Sequence, residues 1–140
     1  MNSTEVLDFY RSQACSRQWR GFLLAMAEEF DGALPEAELS RLMARIGERF
    51  GRARPLPAVA TLEALQSAAN AVWADAEWGT VAFDEHPGEV TIRHLAAPLT
   101  ALLGSGARWA PGFLEGVYRE WFRAAGMLSQ LDIRAVPETG

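Results

Sequence analysis

Between Trp78 and Pro111 the spacing of apolar residues leaves the helical period, becomes alternating, and then returns to the helical one. That switch constrains the fold more than any other feature of the chain. After Trp78-Gly79, Val81 and Phe83 lie on one face of an extended run, and Val90, Ile92 and His94 alternate on its return. His86-Pro87-Gly88 between them reads as a turn, so the segment is an antiparallel hairpin. With helical patterns on both sides, the fold class is α+β: amphipathic helices packed on a small antiparallel sheet, in a single domain over residues 1–140.

The helical faces are read from spacing. Trp19, Phe22, Leu23, Met26 and Phe30 make the first, which Asp31-Gly32 is expected to end. A second starts near Pro35 and carries Leu39, Leu42, Met43, Ile46 and Phe50, closed by Gly51. Two such helices joined by a short turn are expected to pack as an antiparallel pair. After the connector Arg52 to Pro57, Thr61 caps a third helix, with Leu62, Leu65, Ala69, Val72 and Trp73 on one side. Ala96 to Ala107 is a loop or a short helix. Pro111 opens a helix bearing Phe113, Leu114, Val117, Tyr118, Trp121 and Phe122, which Gly126 ends. A last strand is expected from Gln130 to Val136. Residues 1–16 are read as a less ordered arm, with a short helix starting at Ser3 or Thr4.

Composition removes several function classes. A net charge of −5 argues against nucleic acid, which needs a basic stripe to displace counterions. All thirteen basic residues are arginine, a bias that also suits bidentate pairing with carboxylates across an interface. The single cysteine, Cys15, excludes an intrachain disulfide and a cysteine metal cluster. No run reaches the roughly twenty apolar residues of a membrane span. The start of the chain lacks the pattern of a secretory signal, so a cytoplasmic location is expected, with the periplasm as the alternative.

No catalytic set, metal site or cofactor site is expected. Asp84, Glu85, His86 and His94 are the best metal candidates, but neighbouring strand residues point to opposite faces. Both histidines are therefore read as surface or edge-strand residues. Cys15 has only Arg11 and Arg17 nearby to activate it and is read as an idle thiol. Glu28-Glu29 and Asp84-Glu85 are adjacent in sequence and diverge, whereas glycoside cleavage needs two facing carboxylates. Gly104-Ser105-Gly106 lacks the strand, helix and lysine of a phosphate loop.

The five tryptophans leave three readings open: core, subunit contact, or stacking on pyranose rings. The helix from Phe113 to Phe122 carries more apolar surface than a domain this small readily covers. Trp109, Phe113, Tyr118, Trp121 and Phe122 are accordingly assigned to a subunit interface.

Two motifs carry a family resemblance. Trp78-Gly79-Thr80-Val81 is followed by Thr91-Ile92-Arg93-His94, then by Trp109-Ala110-Pro111 with Leu114-Glu115-Gly116, Tyr118 and Trp121. With Arg54-Pro55-Leu56-Pro57 ahead of Thr61-Leu62, residues 40 to 125 resemble the D subunit of the bacterial cellulose synthase complex. The resemblance implies a non-catalytic subunit without cofactors, assembling as dimers into an octameric ring. It implies nascent β-1,4-glucan chains passing through inner channels lined partly by N-terminal segments, where Asn2, Ser3, Thr4 and Gln13 are the candidate contacts. It implies the other synthase subunits and a proline-rich protein of the same operon as partners. The alternative is a small-ligand sensor in which the hairpin and the aromatic helix enclose an apolar pocket.

Overall fold

The computed structural model describes residues 2–5, 16–104 and 106–127. Helix α1 spans Arg17–Ala33, α2 Glu36–Ala53 and α3 Leu62–Ala76; strands β1 (Thr80–His86) and β2 (Glu89–Leu95) follow, then α4 (Pro98–Leu103) and α5 (Gly112–Ala124). The α+β architecture is as expected, with a single two-strand antiparallel sheet among the described residues. The short helix anticipated between Ala96 and Ala107 is α4. The anticipated strand from Gln130 to Val136 lies outside the described residues.

Prolines, and not the glycines read as stops, end the first two helices. Helix α1 runs past Gly32 to Ala33 and stops at Leu34, whose φ of −132° and ψ of 145° are extended. Pro35 imposes that geometry, because its ring excludes helical backbone from the residue before it. Helix α2 likewise continues past Gly51, and Arg54 turns away from helix at φ −128° before Pro55. Glu36 and Glu38 in its first turn and Arg52 in its last match the helix dipole. Thr61 caps α3 as expected, its Oγ1 accepting the Ala64 N–H at 3.1 Å.

The hairpin has the expected register face. Val81 opposes His94 and Phe83 opposes Ile92, and these four side chains are buried. Gly88 closes the Pro87-Gly88 turn at φ 77°, a conformation that favours glycine. Gly79 enters β1 at φ 84°, and a Cβ there would overlap the Leu95 carbonyl oxygen.

Helix α2 does not form the expected antiparallel pair with the helix before it; its main partner is α5. Gly47 and Gly51 on α2 meet α5, while Gly112 and Gly116 on α5 meet α2. A Cβ at Gly47 would overlap the Phe113 carbonyl, one at Gly116 the Ala44 carbonyl, and one at Gly112 would lie 2.7 Å from the Ser40 oxygen. Glycines four apart share a helical face, so two glycine rows let the backbones touch. Helix α3 covers β1. Trp73, Trp109, Phe122, Leu39 and Val117 are the largest fully buried side chains and mark the centre of the core.

Candidate functional site

The residues that carry both motifs converge on one buried network. The Trp73 indole N–H donates to Tyr118 Oη at 2.9 Å. Tyr118 Oη lies 2.5 Å from His94 Nδ1, and His94 Nε2 lies 2.6 Å from the Trp78 carbonyl oxygen. A carbonyl only accepts, so Nε2 carries the ring proton and Nδ1 presents its lone pair. Tyr118 must then donate to Nδ1 while accepting from Trp73. The relay is closed: each donor within it has an acceptor.

Electrostatics agree with that assignment. Burial pushes the His94 pKa down to about 4, against a smaller opposing effect of the Trp78 carbonyl, so the ring is neutral at pH 7. Burial likewise drives the Tyr118 hydroxyl above its ordinary range, outweighing the Trp73 hydrogen bond. The expectation of a surface or edge-strand His94 is therefore corrected. Its register opposite Val81 turns it inward, and two partners satisfy a ring that would otherwise be costly to bury. His86, at the hairpin turn, is exposed as expected.

Rings pack around this relay. Trp73 stacks on Phe50 at 5.3 Å between centroids and lies 5.3 Å from Trp121, joining α2, α3 and α5. Phe83 meets Tyr118 at 5.8 Å and Phe122 at 5.1 Å, so rings fill the space between the hairpin and α5 that a sensor pocket would need. The Trp121 N–H donates to the Arg54 carbonyl at 3.0 Å, which ties the end of α2 to α5. The Trp109 N–H donates to Asp31 Oδ1 at 2.7 Å, and the Phe30 ring packs edge-on against Trp109.

These contacts move the five rings assigned to a subunit interface. Trp109, Phe113, Tyr118, Trp121 and Phe122 are between 0% and 7% exposed within the chain itself. The helix that looked too apolar to be covered is covered, because the glycine rows bring α2 against it. The apolar surface left over lies on α1, where Trp19 is 58% and Phe22 60% exposed and only Ala27 is buried. Their rings touch edge to face at 6.1 Å. Spacing shows that this face is apolar, not that it faces outward.

The remaining candidates are placed as follows. Asn2, Ser3 and Thr4 are exposed, and Asn2 and Glu5 exchange side-chain to backbone hydrogen bonds at 3.1 and 2.8 Å around one helical turn. Gln13 and Cys15 lie outside the described residues. Asp84 accepts from Arg93 Nε at 2.8 Å across the hairpin. Among the described residues no three of histidine, cysteine, aspartate and glutamate converge as metal ligands. Sequence reasoning passed over Glu120, a buried carboxylate that accepts from Arg123 Nε and Nη2 at 3.0 and 2.7 Å. Those hydrogen bonds hold it below the usual carboxylate range, so it stays ionised instead of serving as a proton donor.

No described helix is long and apolar enough to cross a membrane. No curated protein matches the chain. A family model described as the cellulose synthase D subunit matches residues 5–139, well beyond the residues 40 to 125 in which the motifs were recognised. The chain therefore belongs to the family of cellulose synthase D subunits, accessory subunits distinct from the catalytic subunit of that synthase.

Proposed function

We propose that the chain is a non-catalytic scaffold of cellulose synthesis that works by self-assembly into a closed oligomer. The observation that carries this reading is the apolar face of α1. Trp19 and Phe22 remain exposed in a chain that has buried its other described tryptophans wholly or in part. An exposed aromatic patch on a rigid helix favours association, because ordering two stiff rings costs little entropy. A patch that meets its own copy closes a dimer, and dimers joined by a second, head-to-tail contact whose rotation closes form a ring with a central passage.

Glucan guidance follows from the same assembly. A polymer that must keep moving is held best by many weak polar contacts, and the exposed Asn2, Ser3 and Thr4 supply groups of that kind. The closed His94–Tyr118–Trp73 relay supports a structural role for the motif residues.

Sedimentation velocity on purified protein at micromolar concentration tests the reading. The expected species has several times the mass of the 15.4 kDa chain. A monomer throughout that range would overturn it. Deleting residues 2 to 12 is expected to leave the assembly intact and to weaken the already weak binding of cello-oligosaccharides, seen as smaller chemical-shift changes.

A further inference from the structure

We propose that residues 130–136 pair with the open edge of β2, within one chain, as a third strand running parallel to it. This pairing goes beyond self-assembly and does not depend on it. The register of the hairpin defines the edge. Val81 and Phe83 donate their N–H groups to Asn70 and Gln66, on the side away from β2. Residues directly opposite in an antiparallel pair share that state, so His94, Ile92 and Val90 also point their backbone groups outward. Side chains of α3 cover the β1 edge, but β1 is the only described element that runs beside β2. Among the described residues no backbone hydrogen bond reaches Val90, Ile92 or His94 on the outer side. Ile92 and His94 are 5% and 7% exposed, so these groups have little access to water and require partners.

The rest of the chain supplies a run of the right length. Gln130 to Val136 is seven residues long, as β2 is, with Leu131, Ile133 and Ala135 alternating with Asp132 and Arg134 before Pro137. Its direction follows from α5. Phe113 meets Trp78, just ahead of β1, at 4.9 Å, and Phe122 meets Phe83 at 5.1 Å. Helix α5 therefore advances from the open end of the hairpin toward its turn. There Gly126 ends it at φ 78°, and the Met127 N–H donates to the Phe122 carbonyl at 2.9 Å. Residues 128–130 can span about 10 Å, the depth of one packed layer. A strand that starts near the turn and runs back is parallel to β2. The connection through α4 and α5 has the length that parallel neighbours need. Leu131, Ile133 and Ala135 then extend the buried face of Ile92 and His94 beside the half-buried Val90.

Proline substitutions in the full-length protein test both the pairing and its direction. Beside a parallel neighbour, residues that share the face of Ile92 turn their N–H groups away from β2, so Asp132 and Arg134 donate to it and Ala135 does not. Asp132→Pro removes such a donor in the middle of the strand, whereas Ala135→Pro removes an outward N–H, which an edge strand tolerates. Hydrogen exchange at single amides is expected to show Ile92 and His94 protected at least about a hundredfold over an open chain. Asp132→Pro is expected to speed both by about tenfold or more, and Ala135→Pro to leave them within about threefold. The Val81 and Phe83 amides, held by α3, are expected to stay within about threefold in both variants. Fast exchange at Ile92 and His94 in the wild type, protection that survives Asp132→Pro, or equal loss in the two variants would each overturn the parallel strand. Protection that disappears on dilution would place a strand of a second copy at the edge and overturn pairing within the chain. If Asp132→Pro is insoluble, Arg134→Pro gives the same reading nearer the end of the run.

Discussion

The carboxamide of Asn70 stands where a third strand would stand beside Val81. Its Nδ2–H donates to the Val81 carbonyl at 2.9 Å, and its Oδ1 accepts the Val81 N–H at 2.8 Å. One turn earlier on α3, Gln66 Oε1 accepts the Phe83 N–H at 2.8 Å. Two amide side chains thus satisfy the Val81 N–H and carbonyl and the Phe83 N–H on the outer edge of β1, groups that would otherwise be open to another chain. Replacing Asn70 by Ala is expected to cost about 1–3 kcal/mol of stability in urea unfolding. It should also speed hydrogen exchange at the Val81 amide. Asn70→Asp is expected to rescue only part of this, because a carboxylate accepts from the N–H but repels the carbonyl.

Removing the Tyr118 hydroxyl breaks the buried relay at its middle. In Tyr118→Phe the Trp73 N–H loses its acceptor and His94 Nδ1 loses its donor, while ring packing is kept. Two buried polar groups left without partners are expected to destabilise the fold by about 2–4 kcal/mol, read from the urea midpoint. A loss under about half a kcal/mol would show that water or a rearranged His94 replaces the hydroxyl.

Acid should destabilise the protein through His94. Its folded pKa, about 4, lies below the ordinary 6.5, so the unfolded chain binds the proton more readily. The contribution is fully present above pH 6.5 and is lost as pH falls from there through 4. Its size is on the order of 3 kcal/mol, from 1.36 kcal/mol per pH unit. Unfolding measured between about pH 4 and 7 is expected to show this slope. His94→Gln is expected to flatten it, and to lower stability at neutral pH through imperfect replacement of the two hydrogen bonds.

The fold was legible where a residue states its own backbone need. Thr61 caps, Pro87-Gly88 turns, and Val81, Phe83 and Ile92 alternate inward without help from distant residues. What sequence could not supply was the identity of the partner across each face. The spacing of Trp19, Phe22 and Met26 reports a face that must be covered, but has the same form whether the cover is the same chain or another. The helix from Phe113 to Phe122 posed that ambiguity in reverse, and its cover came from glycines far upstream on α2. Gln66 and Asn70 carry no signal in the spacing of apolar residues, because the strand edge they cap is separated from them by a turn. His94 showed its face through strand register, yet its burial depended on Tyr118, which lies 24 residues away.

The glycine seam offers the sharpest contrast between two substitutions of one kind. Gly47 lies inside α2, where Ala would ordinarily be the better helix former by roughly 0.5–1 kcal/mol. Here, however, its Cβ would overlap the Phe113 carbonyl oxygen and lie 2.8 Å from the Val117 nitrogen, both backbone atoms of α5. Neither can yield by a rotamer change, so the helices must separate and carry Phe113, Val117 and Phe50 with them. Gly116 faces the Ala44 backbone in the same way. Gly47→Ala and Gly116→Ala are each expected to destabilise the protein by about 2–3 kcal/mol or more. Gly32 is the control: it is also helical, but nothing lies within 4 Å of a Cβ there. Gly32→Ala is expected to leave stability unchanged or raise it by up to about 1 kcal/mol. Thermal unfolding of the three variants side by side measures the difference. Equal behaviour at Gly47 and Gly32 would mean that α2 and α5 do not meet through their backbones.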